Sequence, residues 1–190
     1  MKKLKVALFI ILVVPFTALL LTAVMVKFVR AQAESDSVSA TVTIGDISVA
    51  LAPSSIDFGS MPLDTSRTTL ESVQSTNITA TVGLVLTDLD IQGANTTSAS
   101  EGTDWILDSA NTTLDHYILE WGDATNASTE PVSWTALTTS SALMYDDIDG
   151  ATNNFKYFGL RITTPQTQTN TQGVEQSVNV TVLASYGEDV

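Results

Sequence analysis

GVEQSVNVTVLASY, residues 173–186, decides the fold. Val174, Val178, Val180, Val182, Ala184 and Tyr186 share one alternation phase, with polar residues filling most of the other. A period of two is that of a β-strand with one buried face, because successive side chains point to opposite sides of a pleated backbone. The same period recurs upstream. SVSATVTI (37–44) alternates Val38, Ala40, Val42 and Ile44 against Ser and Thr. ISVAL (47–51) and SIDFG (55–59) follow at short intervals, and NITATVGLVL (77–86) sets Ile78, Ala80, Val82, Leu84 and Leu86 on one face. DHYILEW (115–121) aligns Tyr117, Leu119 and Trp121, and VSWTAL (132–137) aligns Val132, Trp134 and Ala136. NFKYFGLRIT (154–163) is the most aromatic of these stretches.

No stretch after residue 33 keeps a helical period. Short strands separated by Gly, Asn, Asp and Ser clusters predict an all-β domain, a single antiparallel β-sandwich of the jelly-roll or Ig-like kind. Residues 92–103 and 122–131 are expected to be long loops.

The N-terminus is different. MKKLK (1–5) is basic, and Val6 to Val26 is an uncharged apolar run interrupted only by Pro15 among its helix-forming residues. Ala31 and Ala33 then form an A-x-A pattern suited to a signal peptidase. The run is also long enough to span a bilayer as a helix. Cleavage after Ala33 releases a secreted chain; retention leaves it on a membrane anchor. Either way the remainder lies outside the cytoplasm, and the membrane is engaged only through the leader. The expected layout is a signal peptide or anchor over 1–33, an N-terminal strand over 34–45 and the β-domain over 46–190.

Without the leader, residues 34–190 keep only Arg67, Lys156 and Arg161 against all 21 acidic residues, a net charge of −18. Such a chain lacks the basic footprint that nucleic acid requires. The charge favours solubility and mutual repulsion. There are no cysteines, so stability must come from packing, sheet hydrogen bonds or assembly rather than from disulfides.

Chemistry-bearing residues are sparse. The single histidine, His116, sits in a strand pattern and has no cysteine to activate. The acidic clusters DLD (88–90) and DDIDG (146–150) fail as an EF-hand, which would need an acid where Tyr145 stands and a Glu where Lys156 stands. A calcium site between loops stays open beside the reading of solvated turn carboxylates. Glu120 and Asp123 form a glycosidase pair only if they converge in space. Trp105, Trp121 and Trp134 either offer a sugar-stacking surface or fill a core. Lys156 shares its phase with Phe158 and Leu160, so it points partly inward; an isopeptide bond and a snorkelling lysine are the two readings. No cofactor and no metal is expected, and the chain reads as a non-enzyme. Five N-x-S/T sequons, at Asn77, Asn95, Asn111, Asn126 and Asn179, predict a glycosylated exterior, against the alternative of an ordinary Asn- and Thr-rich surface.

An isolated strand over 37–44 exposes unpaired N–H and C=O groups and must join a sheet. It is either the domain's own first strand or one donated to a neighbouring subunit. A leader, the Ser/Thr-rich SVSATVTIGDISVALAPSSIDFGSMPL (37–63) and a cysteine-free β-body resemble the TasA-like matrix-fibre proteins and the archaeal bundling pilins. That resemblance implies an extracellular filament, a biofilm homopolymer built by donor-strand complementation, with lateral contacts between filaments. Carried over, Val38, Ala40, Val42 and Ile44 are the donor side chains. The rival reading is a monomeric or membrane-anchored carbohydrate-binding or adhesion module. N-terminal sequencing of the exported chain is expected to begin at Glu34; a start at Met1 would assign the uncleaved anchor.

Overall fold

The structure, a computed structural model, describes residues 47–99, 102–170 and 173–187, all within the compact unit Ile44–Val190. Ala31, Ala33, Val38, Ala40, Val42 and Ile44 lie outside the described residues. The strands, in chain order, are β1 (Val49–Ala52), β2 (Ser66–Thr68), β3 (Ile78–Val82), β4 (Thr87–Gln92), β5 (Thr97–Ser98) and β6 (Ile106–Leu107). They continue as β7 (His116–Ala124), β8 (Thr135–Ala136), β9 (Ala142–Ile148), β10 (Phe155–Thr163), β11 (Gln176–Ser177) and β12 (Thr181–Tyr186). The described residues hold no helix, so the domain is all-β.

The two longest strands, β7 and β10, form the spine. They pair antiparallel from Tyr157↔Ala124 to Thr163↔Ile118. The other edge of β10 is shared by β3 and β2, and that of β7 by β8 and the short β6. With β1 on β3, this makes a seven-stranded sheet. The β6–β7 pairing is parallel, which corrects the expectation of a purely antiparallel domain. A second sheet has three strands in the order β12-β4-β9, and β5 and β11 form a separate pair.

Both main sheets feed one core. Ala80, Tyr117, Leu119 and Phe158 of the large sheet and Leu89 and Ile91 of the small one are fully buried. Burying a large apolar side chain contributes about 1.5–3 kcal/mol. A hydrogen bond ties the sheets as well: the Tyr145 hydroxyl on β9 lies 2.7 Å from an Asp123 carboxylate oxygen and 2.8 Å from the Tyr157 carbonyl. Trp121 meets the same ring edge-on.

Several stretches depart from the period-2 reading. NITATVGLVL is not one strand; it ends at Val82 and leaves Leu84 75% exposed. The Gly83 amide still bonds the Ser48 carbonyl beside β1, and the chain bends after it at Leu84 and Val85. Gly150 also approaches so closely that a Cβ on it would lie 1.9 Å from the Gly83 oxygen. GVEQSVNVTVLASY divides into β11 and β12. SIDFG runs without a ladder, with Ile56 and Phe58 half-buried against the core. Conversely, DLD and the start of DDIDG lie inside β4 and β9, whose apolar phases the acids obscure.

VSWTAL shrinks to β8, and Val132 is 99% exposed. The cause is a cross-strand glycine pair, Gly122↔Gly159. With no side chains there, the outer face of the large sheet has a notch that Pro131 fills. A Cβ on Gly122 would lie 2.4 Å from the Ser133 carbonyl, and one on Gly159 would lie 2.8 Å from Pro131. Asn77 fastens this loop. Its Nδ2 donates to the Thr129 carbonyl at 2.7 Å and the Asn126 carbonyl at 3.3 Å, while its main-chain N–H donates to Ala127. Asn77 keeps the polar phase of its strand but is covered by this loop and is 1% exposed, which corrects the expectation of a glycosylated surface at that position.

Asn77→Ala removes both bonds to the loop and the acceptor of the buried Thr69 hydroxyl, and is expected to cost about 2–4 kcal/mol. Gly122→Ala must displace the loop and is expected to cost at least ~1–3 kcal/mol. Urea unfolding midpoints of the two variants check both values; a midpoint unchanged by either substitution would show that the loop does not hold the sheet.

Candidate functional site

The core is sealed at its centre and open at one rim. On β1, Val49 and Leu51 face inward opposite Val82 and Ala80, yet both are only half-buried. On β12, Val182 and Ala184 pair with Ile91 and Leu89 and are half-buried too. Their partners on β3 and β4 are buried. The edges of β1 and β12 approach each other at this rim. Among the described residues, the outer edges of both strands carry no ladder partner. Val178, Val180, Ile56, Phe58 and Met61 add further half-covered apolar surface against the same core. Unpaired backbone beside unfilled apolar surface is what an added strand satisfies.

The candidate catalytic and metal-binding residues do not converge on one centre. Glu120 and Asp123 lie on opposite faces of β7, since three positions separate them in a period of two. Glu120 takes a bidentate pair from Arg161, at 2.5 and 2.7 Å, on the outer face. That charge pairing, with the carboxylate's hydrogen bonds as the larger cause, raises the Arg161 guanidinium above its ordinary value. Asp123 instead accepts the Tyr145 hydroxyl. Burial, with the Asp123 carboxylate adding to it, raises the Tyr145 phenol far above its ordinary value. The pair therefore lacks the geometry of a glycosidase.

Asp88, Asp146 and Asp147 bring one ligand atom each within 4.8 Å of one another, where β4 and β9 are irregularly paired. Asp88 also accepts the Asp147 amide at 2.9 Å. Asp149 closes its own turn through Ala151 and Thr152, which lowers its carboxyl. The tryptophans do not share a surface. Trp105 packs toward Tyr117, Trp121 toward Tyr145, and Trp134 lies under the Arg161 guanidinium at 4.9 Å. Lys156 is half-buried, as its phase predicts, with its ammonium 5.5 Å from the centre of the Tyr145 ring.

The sequons divide sharply. Asn77 and Asn111 are buried, whereas Asn95, Asn126 and Asn179 are exposed. Sequence reasoning missed the rim on β1 and β12, because alternation marks which face turns inward but not how completely it is covered. It also missed the Gly122–Gly159 notch, whose signal would have been two glycines at paired positions in adjacent strands.

Comparison of the chain with protein-family models, with characterised proteins and with solved structures finds no match in any of the three.

His116 has a structural partner. Its Nδ1 bonds an Asp108 carboxylate oxygen at 2.8 Å, beside the parallel β6–β7 contact. That bond, helped by the Ser109 amide, holds the Asp108 carboxyl below its ordinary value of 3.8. A lowered carboxyl stabilises the fold above its unfolded value and loses that contribution as pH falls through the folded value. Asp108→Asn is therefore expected to flatten the fall in stability below about pH 4 and to destabilise the domain at neutral pH. Unfolding midpoints at pH 3 and pH 7 check the sign; an unchanged acid limb would show that the pair contributes nothing.

Proposed function

We propose that the chain is the structural subunit of an extracellular filament that polymerises when residues 37–44 of one copy complete the β-sheet of the next. The observation that carries this reading is the half-covered apolar rim of β1 and β12, each of which pairs with one strand among the described residues. The alternating segment 37–44 stands only four residues before β1. Val38, Ala40, Val42 and Ile44 supply one apolar side chain per two residues, the spacing at which a strand covers such a rim. Among the described residues the buried apolar core runs from Ile78 to Ile162. On this reading the segment adds to that core, with Gly45 as its pivot.

On this reading the seven- and three-stranded sheets are the two layers of a β-sandwich of jelly-roll or Ig-like kind, open at one side. Donation from copy to copy is a heterologous contact that does not close, so it yields fibres rather than rings. Subunits of charge −18 repel, so lateral bundling requires salt, cations or surface sugars to screen them. The leader exports the subunit, which on this reading serves as a building block rather than an enzyme.

Two chains test this, residues 34–190 and residues 45–190, viewed by negative-stain microscopy. The longer chain is expected to form filaments and the shorter to remain monomeric. A synthetic peptide of residues 34–46 is expected to bind the shorter chain and raise its melting temperature. If the longer chain stays monomeric and the peptide leaves the shorter one unchanged, donation is wrong. Should the shorter chain then fail to fold, residues 37–44 are the domain's own first strand, and the carbohydrate-binding module takes precedence.

A further inference from the structure

N-glycosylation forms a bond between an asparagine Nδ2 and the anomeric carbon of a sugar. The bond from that carbon to a lipid-linked phosphate breaks, and one amide proton is lost. The nitrogen must therefore be reachable and have a hydrogen to give up. Five sequons satisfy the sequence rule, but their carboxamides stand in two different situations.

Asn77 spends both amide hydrogens on the Asn126 and Thr129 carbonyls, and its Oδ1 accepts the Thr69 hydroxyl at 2.5 Å. Asn111 likewise donates to Asp64 Oδ1 and to the Thr164 carbonyl, both at 3.0 Å. A sugar on either would break a buried hydrogen bond and would have no room. Asn126 is the opposite case. It is exposed, and so is Ser128, the hydroxyl residue of its sequon. Its Oδ1 accepts the Ser128 amide at 2.8 Å. That turn occupies the carboxamide oxygen and leaves the nitrogen without a hydrogen-bond partner among the described residues, in one sequon with the exposed Ser128 hydroxyl. Asn95 and Asn179 are exposed but lack this turn: the Asn95 oxygen is held by the Leu107 amide, twelve positions away.

We propose that Asn126 is the N-glycosylation site of the folded domain and that Asn77 and Asn111 are never modified. The two classes are linked, because the buried Asn77 clamps the loop that presents Asn126. One sequon is the structural support of the other. The inference requires export, not polymerisation.

Glycopeptide mass spectrometry of the full chain, recovered in its exported form from its own cells, tests it. Sugar on Asn126 with Asn77 and Asn111 bare is the expected result. A bare Asn126, or sugar on either buried asparagine, overturns it. Two variants separate modification from folding. Asn126→Gln is expected to lose one glycan mass with the melting temperature of the deglycosylated protein unchanged. Asn77→Gln is expected to lower that temperature by roughly 5 °C or more through its buried hydrogen bonds. An Asn77→Gln chain that melts as the parent does and loses a glycan mass would also overturn the assignment.

Discussion

Seven strands in one sheet and three in another share a single core, and most of the architecture follows from that inequality. Where the two sheets meet in that core, Tyr117, Leu119, Phe158, Leu89 and Ile91 are fully excluded from water. Toward β1 and β12 the cover runs out. The remainder of the large sheet is protected by irregular chain: the segment carrying Ile56, Phe58 and Met61 packs against the core without joining a ladder. On the outer face, the loop held by Asn77 lies in the glycine notch. The half-covered rim is thus a geometric remainder.

Much of the fold was legible because period-2 alternation survives wherever a strand is long and one-sided. Tyr117 and Leu119, Phe158 and Leu160, and Ile78, Ala80 and Val82 are all buried as their phases require. Two kinds of residue defeated the pattern. Carboxylates alternating with Leu89 and Ile91 on β4, and Asp146 and Asp147 between Met144 and Ile148 where β9 pairs irregularly, looked like turn chemistry. At VSWTAL the alternation existed but had no sheet to bury it. A loop pinned from outside by Asn77 and Pro131 overrode it, and Leu137, out of phase, became the buried residue.

The candidate site was legible only in part. The sequence pointed to residues 37–44 as a strand in need of a partner. It held no information on which edges would be free, because pairing is decided by residues far apart in the chain. Nor could it distinguish a sequon that faces solvent from one that braces a loop: Asn77 and Asn126 satisfy the same three-residue rule and differ only in what surrounds their carboxamides.

The scarcity of basic residues has a consequence for durability. Of the three beyond the leader, Arg67 reaches back to the Phe58 carbonyl, Arg161 is gripped by Glu120 and stacked on Trp134, and Lys156 lies over Tyr145. All three belong to strands, two of them to β10 at the centre of the large sheet. A protease that cuts after lysine or arginine needs a free basic side chain on a stretch of chain that can be drawn into its cleft. The described domain holds its three basic residues inside paired strands, so for such enzymes its digestibility is governed by unfolding rather than by surface access.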